Sequence, residues 1–498
     1  MVGLAALDPP YSLQSLKIAK QMVSTCLAPV CVLLASLAVG DSAGQQGATV
    51  HTNYVDATRG DDARDGLSPA AAWRSLNRVN KATLQPGERV LFRRGETWRG
   101  QLIPRSGSQS GAITYGAYGQ GDKPLLLGSS AMDRAEDWQP AGPGIWAAAP
   151  IRFDRREVSA DPVPLSVDVG NVIFDHGAAV GVKKWSTADL RQEGDYYYDG
   201  RRRQVVLRSA ANPASRHRSI ELALNRHIIS EGGRGYVTYE NLALRYGAAH
   251  GIGGGSTQHI TVRGCDISYI GGGHLCTTPA GKPVRFGNGV EFWAAAHDCL
   301  VEDCRLWEIY DAALTNQGDG TNVQENITYR RNVIWNCEYS FEYWNRDQTS
   351  KTRNIRFEHN TCVNAGFGWG HSQRPDPNGR HLMFYDNTAA TEAVFVCDNI
   401  FCNATDSCLR LSGRDWTAAL TMDRNDWFQS QGPILLWNKM QQIGPEQFDA
   451  FRRLHGIDVH SIAADPKFVA PDRNDYRLTS DSPARAIEPQ GPPVGALP

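Results

Sequence analysis

Between Val237 and Asn425 one short pattern recurs, and it limits the fold more than any other feature of the chain. The segments VTYENLAL, ITVRGCDI, CLVEDCRL, ITYRRNVI, IRFEHNTC, VFVCDNIF and LTMDRNDW each pass from alternating apolar residues, through a polar turn, to an Asn or Cys and another apolar pair. The column they define is Asn241, Cys265, Cys304, Asn332, Asn360, Asn399 and Asn425, at steps of 24, 39, 28, 28, 39 and 26 residues. Both long steps contain an evident loop insertion. Period-two alternation marks strands, and a repeat of this length built from strands implies a solenoid rather than a helical array.

The chemistry of the column fits that implication. In a parallel β-helix each coil adds one strand to each long sheet, about 4.8 Å above the last. A buried turn residue then meets its counterpart in the next coil. Asn suits the position because its amide donates to one neighbour and accepts from the other, which satisfies a buried polar ladder. Cys packs there as a small apolar substitute. Asn is also common in exposed turns, but seven positions in register favour the ladder.

The 498 residues carry 51 basic and 53 acidic side chains, a net charge of −2 that gives no reason to expect a nucleic-acid partner. Lys17 and Lys20 precede a largely apolar run from Met22 to Gly40, with small residues at Ala38, Gly40 and Ala43. Residues 1–44 therefore read as a signal peptide or an N-terminal anchor, and export to the periplasm or medium is expected. No other stretch is long and apolar enough to span a membrane. Of the 11 cysteines, Cys26 and Cys31 fall in this leader, which leaves nine. An odd number requires at least one free thiol or an intermolecular bond. Cys265 and Cys304 are candidates for a bond, but spacing does not fix the connectivity. No tight Cys or His/Cys cluster indicates zinc.

Residues 50–130 hold NYVDATRGDDARDGLSPAAAWRSLNRVN, LQPGERVLFRRGETWRGQL and ITYGAYGQGDKPLLLG. A short helix is expected over Ser75–Ala82, with strands after it. Asp61, Asp62 and Asp65 lie in a Gly-containing loop without EF-hand spacing, and read as a solvated turn rather than a Ca²⁺ site. Residues 131–230 break the rhythm with IWAAAPIRF, GDYYYDGRRRQVVLRS and ANPASRHRSIELA, and read as an inserted β-rich subdomain. Tyr196–Tyr198 there read as core and cross-strand residues rather than sugar contacts. Residues 231–498 hold the regular coils and a closing segment with DPKF, DYRL, DSPA and VGA. These entry and closing segments resemble those of secreted bacterial right-handed β-helix proteins of the pectin-lyase-like superfamily. The resemblance implies an all-β, right-handed parallel β-helix whose N-terminal cap helix covers the open edge of the first coil. It leaves the substrate open, because that scaffold carries several chemistries.

A further strand follows each ladder residue: GIGG (251–254), GVEFW (289–293), ALTNQ (313–317), SFEYWN (340–345), GFGWGH (366–371) and CLRLS (408–412). Alternation turns Ile252, Val290, Leu314, Phe341, Phe367 and Leu409 inward. One outward column is then Gly253, Glu291, Thr315, Glu342, Gly368 and Arg410, and a second holds Gly255, Trp293, Gln317, Trp344, Gly370 and Ser412. Two outward Trp residues suggest a groove in which sugar rings stack on Trp293 and Trp344. Loops Gly271–Asn288, with His274, Lys282 and Arg285, and His371–Ala393, with Arg374, Asp376 and Arg380, would wall it. Arg346, His371 and Arg374 would contact hydroxyls or carboxylates.

Glu291 and Glu342 would have Cα atoms about 9–10 Å apart, two strand spacings. That suits the carboxylate pair of an inverting glycosidase, with room for an attacking water. Glu342, between Phe341 and Tyr343, is the expected acid. Glu291 is the expected base, and Arg346 or Arg410 would keep its carboxylate ionised. The stretch LTNQGDGTNVQENITYRRNVIWNCEYSFEYWN resembles bacterial β-helix β-xylosidases, in which the glutamate matching Glu342 is the general acid/base. The nucleophilic aspartate of those enzymes is replaced here by the Thr315–Asn316 region, unless Asp311 or Asp319 substitutes.

Two rival readings stand beside hydrolysis. A polysaccharide lyase or C5-epimerase acting on a uronate-containing glycan would use Lys282, Arg285, Arg346, His371, Arg374 and Arg410, with Ca²⁺ or Arg to neutralise the C5 carboxylate. A non-catalytic adhesin would need only the aromatics. A hydrolase needs no cofactor or metal. The partner expected in every case is a polysaccharide or oligosaccharide, held by a monomer.

Overall fold

The computed structural model of the protein describes residues 50–149, 168–202, 204–438, 441–487 and 494–497. The expected leader, residues 1–44, lies outside them. Among the described residues, no helix is long and apolar enough to cross a membrane.

Three long sheets wind into a parallel β-helix. Strands of the first sheet include Gly235–Glu240, Gln258–Arg263, His297–Glu302, Val323–Arg330, Lys351–Glu358, Ala390–Cys397 and Leu420–Asp423. Each leads into a strand of the second sheet, such as Ala243–Arg245, Asp266–Ile270, Arg305–Ile309 and Val333–Trp335. The third sheet follows with Ile229–Ser230, Ile252–Gly255, Val290–Trp293, Ala312–Gly318, Tyr339–Asn345, Arg380–Phe384, Ser407–Leu411 and Leu435–Trp437. Coil-to-coil pairing in the three sheets is parallel. The interior is one apolar column, from Val55 and Phe92 through Tyr239, Phe292, Tyr329, Phe341 and Phe357 to Phe401, Trp427 and Trp437.

Between the first and second sheets the chain turns on two residues. The first takes a left-handed conformation in each coil from Asn241 onward: Asn241, Gly264, Asp303, Arg331, His359, Asp398 and Arg424 have φ between 53° and 62°. The second points inward and stacks. Asn332 donates from its backbone N–H and its amide to Asn360 Oδ1, both at 3.0 Å. Asn360 does the same to Asn399 at 2.9 and 3.1 Å, and Asn399 to Asn425 at 3.1 and 3.1 Å. Cys304 N–H donates to Asn332 Oδ1, and Cys265 N–H to Cys304 Sγ. Asn241 is not part of this ladder. It is the exposed left-handed residue, and Leu242, fully buried, occupies the stacked position. The sequence column slips by one there because Asn serves both positions, by its amide in one and by its tolerance of positive φ in the other. The nine cysteines of the described residues are all free, so Cys265 and Cys304 stack without bonding.

Both ends of the column are covered. The helix Leu76–Lys81, N-capped by Ser75, sets Leu76 and Val79 on the first coil. Asp62 accepts from Arg74 N–H, Ser75 N–H and the Ser75 hydroxyl, and Asp61 and Asp65 each accept a backbone N–H two residues on. Those acids hold the turn together. At the far end the helix Pro445–His455 lays Phe448 and Phe451 over the core, with Phe451 edge-on to Trp437.

The described residues between 129 and 224 leave the coil path between the second-sheet strand Leu125–Leu127 and the third-sheet strand Ile229–Ser230. They form a four-stranded and a five-stranded sheet around Trp138, Val172, Phe174, Tyr196, Leu207 and Leu222. The hairpin Gly273–Thr277/Pro283–Phe286 and the loop 366–379 leave from the same corner in later coils. These three excursions pack together. Arg285 donates to Gly170 O and Gly272 O, and the amide of Gln373 bridges Arg285, Lys183 N–H and Gly181 O.

Candidate functional site

The outer face of the third sheet carries the expected carboxylates in one column. Glu291 pairs with Thr315, Thr315 with Glu342, Glu342 with Met383 and Met383 with Arg410. Glu291 and Glu342 thus stand two strands apart, about 9–10 Å between Cα atoms. The column departs from the sequence reading at the fifth coil. GFGWGH is a loop, and the strand is Arg380–Phe384. Leu382 takes the inward place expected for Phe367, which is 57% exposed, and Met383 takes the place expected for Gly368. Alternating small and aromatic residues imitate a strand, but Gly366 sits at φ 82°, which turns the chain out of the coil.

The second correction concerns exposure. Glu291 is 6% exposed, Glu342 3% and Trp344 1%, so the two Trp do not form an open platform. Trp293, partly exposed, meets Trp344 edge to face at 5.3 Å, and the Arg346 guanidinium lies 5.4 Å from the Trp344 ring. Arg346 and Trp293 thus cover Trp344, and the face is shut where a wide groove was expected.

Burial has a chemical consequence for Glu342. Removal from water pushes its carboxyl well above the usual range, and the neighbouring Asp311 adds to this, while Arg374 and hydrogen bonds from Gln317 and Tyr385 oppose it. These surroundings favour the protonated carboxyl. Glu291 sits in a different setting. His250 Nε2 lies 2.6 Å from Glu291 Oε2. Asn288 N–H donates to His250 Nδ1 at 2.9 Å, which makes Nδ1 the acceptor and leaves the proton on Nε2, facing Glu291. His227 stacks on His250 at 4.8 Å, and burial holds it down at about 4, with His250 adding to the effect.

The loop residues His371 and Arg374 reach the same corner but are engaged by protein groups. Arg374 donates to Tyr310 O at 3.0 Å and Asp311 Oδ1 at 3.1 Å, and lies 3.6 Å from Glu338. His371 Nδ1 is 2.9 Å from the other Glu338 oxygen. Burial works against the charge on Glu338, but His371, Arg374 and the Asn378 N–H outweigh it and hold the carboxyl low. Asp311 is pushed up by burial, with Arg374 opposing and Glu338 assisting. The loop itself is pinned by Trp369, whose N–H groups donate to the carboxylate and carbonyl of Glu308. Instead of pointing at an open groove, His371 and Arg374 buttress the strand that carries Glu342.

His250 and Glu338 escaped the sequence reading. His250 reads as a turn histidine but is 5% exposed. A signal for it exists in Gly253, where a Cβ would come within 2.9 Å of the His250 ring, so a glycine in the Glu column makes room for an imidazole. Glu338 carries no such mark, because its partners come from a loop 33 to 40 residues later in the chain.

No family model matches the sequence. A lacto-N-biosidase of Bifidobacterium longum subsp. longum is 34% identical over 95 residues, which is 18% of this chain and 6% of that protein. The chain thus spans only a small part of this curated relative. Among solved structures, the complex of XylC with xylose has 12% identity and a TM-score of 0.47, over 78% of this chain and 66% of that one. The GH136 lacto-N-biosidase of Eubacterium ramulus has 15% identity and a TM-score of 0.32, over 79% and 68% of the two chains. Pectate lyase Pel9A has 13% identity and a TM-score of 0.35, over 90% and 96%. The assignment of the fold rests on the sheets described above.

Proposed function

We propose that the protein is an exported, carbohydrate-active enzyme that hydrolyses a glycosidic bond, with Glu342 as general acid and Glu291 as general base. The observation that carries this reading is the contrast between two carboxyls in one column, one favoured in its protonated form by burial, the other facing a histidine N–H. Glu342 passes its proton to the glycosidic oxygen as the bond to the anomeric carbon breaks. Glu291 takes a proton from the water that adds to that carbon from the opposite side, and His250 orients the receiving oxygens. Their Cα spacing of two strands leaves room for a water between the carboxyls, as an inverting route requires. Asp311, the alternative nucleophile, is tied to Arg374, and Asp319 lies in an exposed turn outside the column. Neither supports a retaining route. The shut face favours action at the end of a glycan, entering beside Trp293, over cleavage within a long chain.

Three of the six cations that an elimination reaction could draw on are committed elsewhere. Arg374 and His371 serve Asp311 and Glu338, and Arg285 serves backbone carbonyls and Gln373. This confines the lyase and epimerase readings to Lys282, Arg346 and Arg410, and narrows them relative to hydrolysis. A panel of neutral and uronate-containing glycans, read for new reducing ends and for unsaturated-uronate absorbance, tests the choice. Reducing ends without the absorbance are expected. Both signals together would establish a lyase, and retained binding with neither would establish a non-catalytic role.

A further inference from the structure

A cleft of about 560 Å³ opens between the inserted subdomain and the hairpin that follows the second-sheet strand Asp266–Ile270. Asp168, Lys183, Trp185, Tyr197, Asn225 and His274 are among its walls, and none of them belongs to the carboxylate column. We propose that this cleft is a second saccharide-binding site, which holds a neutral sugar unit against Trp185. The inference goes beyond the reading above, because binding here does not require Glu342 to be catalytic.

Trp185 is the reason to look for a ligand. It is 42% exposed, a large apolar face left to water inside a concavity. Its position is nonetheless fixed on both sides. Lys183 Nζ lies 5.3 Å from the ring centroid, and the His274 ring meets it edge-on at 5.2 Å. Those neighbours are themselves anchored. Lys183 donates to Asp168 and to Val169 O, His274 N–H donates to Asp168 Oδ2 at 2.7 Å, and Asn225 donates to His274 O at 2.9 Å. A rigid indole bordered by amide, imidazole and phenol groups is what a pyranose needs, one flat C–H face to stack and hydroxyls to bond at the rim.

The charges select among glycans. The Lys183 ammonium is neutralised by Asp168, and Lys184 Nζ lies 3.3 Å from Asp195. Since both lysines at the cleft have carboxylate partners, an acidic sugar meets no surplus cation and a neutral one meets no penalty. The cleft also shares a wall with the corner that supports Glu342, through Lys183 N–H and Gln373 Oε1 at 3.2 Å.

Calorimetric titration of the Glu342→Gln chain with cellohexaose, xylohexaose and lacto-N-tetraose tests the site without turnover. At least one of these is held, and Trp185→Ala weakens that binding by about tenfold or more, with Trp185→Phe between the two. Trp185→Ala in the otherwise unchanged chain leaves turnover of a small aryl glycoside within about twofold, since the acid and base are untouched. Equal affinity with and without Trp185, or no binding of any of the three glycans, overturns the proposal. Binding lost with Trp185 supports it whether or not Glu342→Gln has lost turnover, so the two readings fail separately.

Discussion

From Gly235 onward, the corner between the first and second sheets is turned by two residues in every coil, one left-handed and one stacked. The corner between the second and third sheets is as short as Asp311's coil and as long as the excursion 129–224. The first corner is closed by bonds that run from coil to coil, so an extra residue there would break contact with both neighbours. Among the described residues the second has only isolated bonds of that kind, such as Ala312 N–H to Asn288 and Asn336 to Glu308, and its excursions bond to each other. Repetition therefore supplies stability on one side of the solenoid, and irregularity supplies a shielded chemical environment on the other.

Substitutions can break or sharpen this contrast. Asn360→Ala should show the largest loss of stability, about 3–5 kcal/mol in urea unfolding, because it strands the two Asn332 donors in a dry interior and takes the amide donor from Tyr329 O and from Asn399 Oδ1, which keeps only the residue-360 backbone N–H. On the opposite corner, Arg374→Met leaves Asp311 and Glu338 buried without their cation, at a cost of about 3 kcal/mol. Its effect on turnover should exceed that of Asn360→Ala measured well below the melting range. A pH-dependent effect is expected in the interior of the solenoid. Burial raises Glu231 from 4.5 to about 8, so the folded chain keeps a proton that the unfolded chain releases. Stability then falls as pH rises from about 4.5 to about 8, and Glu231→Gln should flatten that fall in thermal melts taken across this range. Asn241→Gly should do least, within about 0.5 kcal/mol, since the residue is exposed, left-handed and outside the ladder.

The ladder from Cys265 to Asn425, the cap helix after Ser75, and the Glu291–Thr315–Glu342 column could all be read from the chain, because each depends on local alternation and a fixed repeat. Three features could not. Asn241 lies one position before the ladder, and the pattern does not reveal it because a single residue type serves two neighbouring positions. GFGWGH satisfies the local rule of alternation without forming a strand, and the next coil pairs with Arg380–Phe384. The burial of Glu342 and Trp344 depends on what covers them, including Arg346 and Trp293. Such cover comes from contacts between coils and excursions, for which the sequence carries no periodic signal.

The most direct test replaces Glu342 with Gln and follows turnover and thermal unfolding together. The account predicts that turnover falls by about 10²–10⁴-fold, because Gln keeps the shape and loses the transferable proton. The melting temperature should stay close to that of the parent, since the surroundings favour the protonated form of the carboxyl it replaces. Undiminished turnover on the same glycan would contradict the account, and Glu342 would then be only a buried strut of the third sheet.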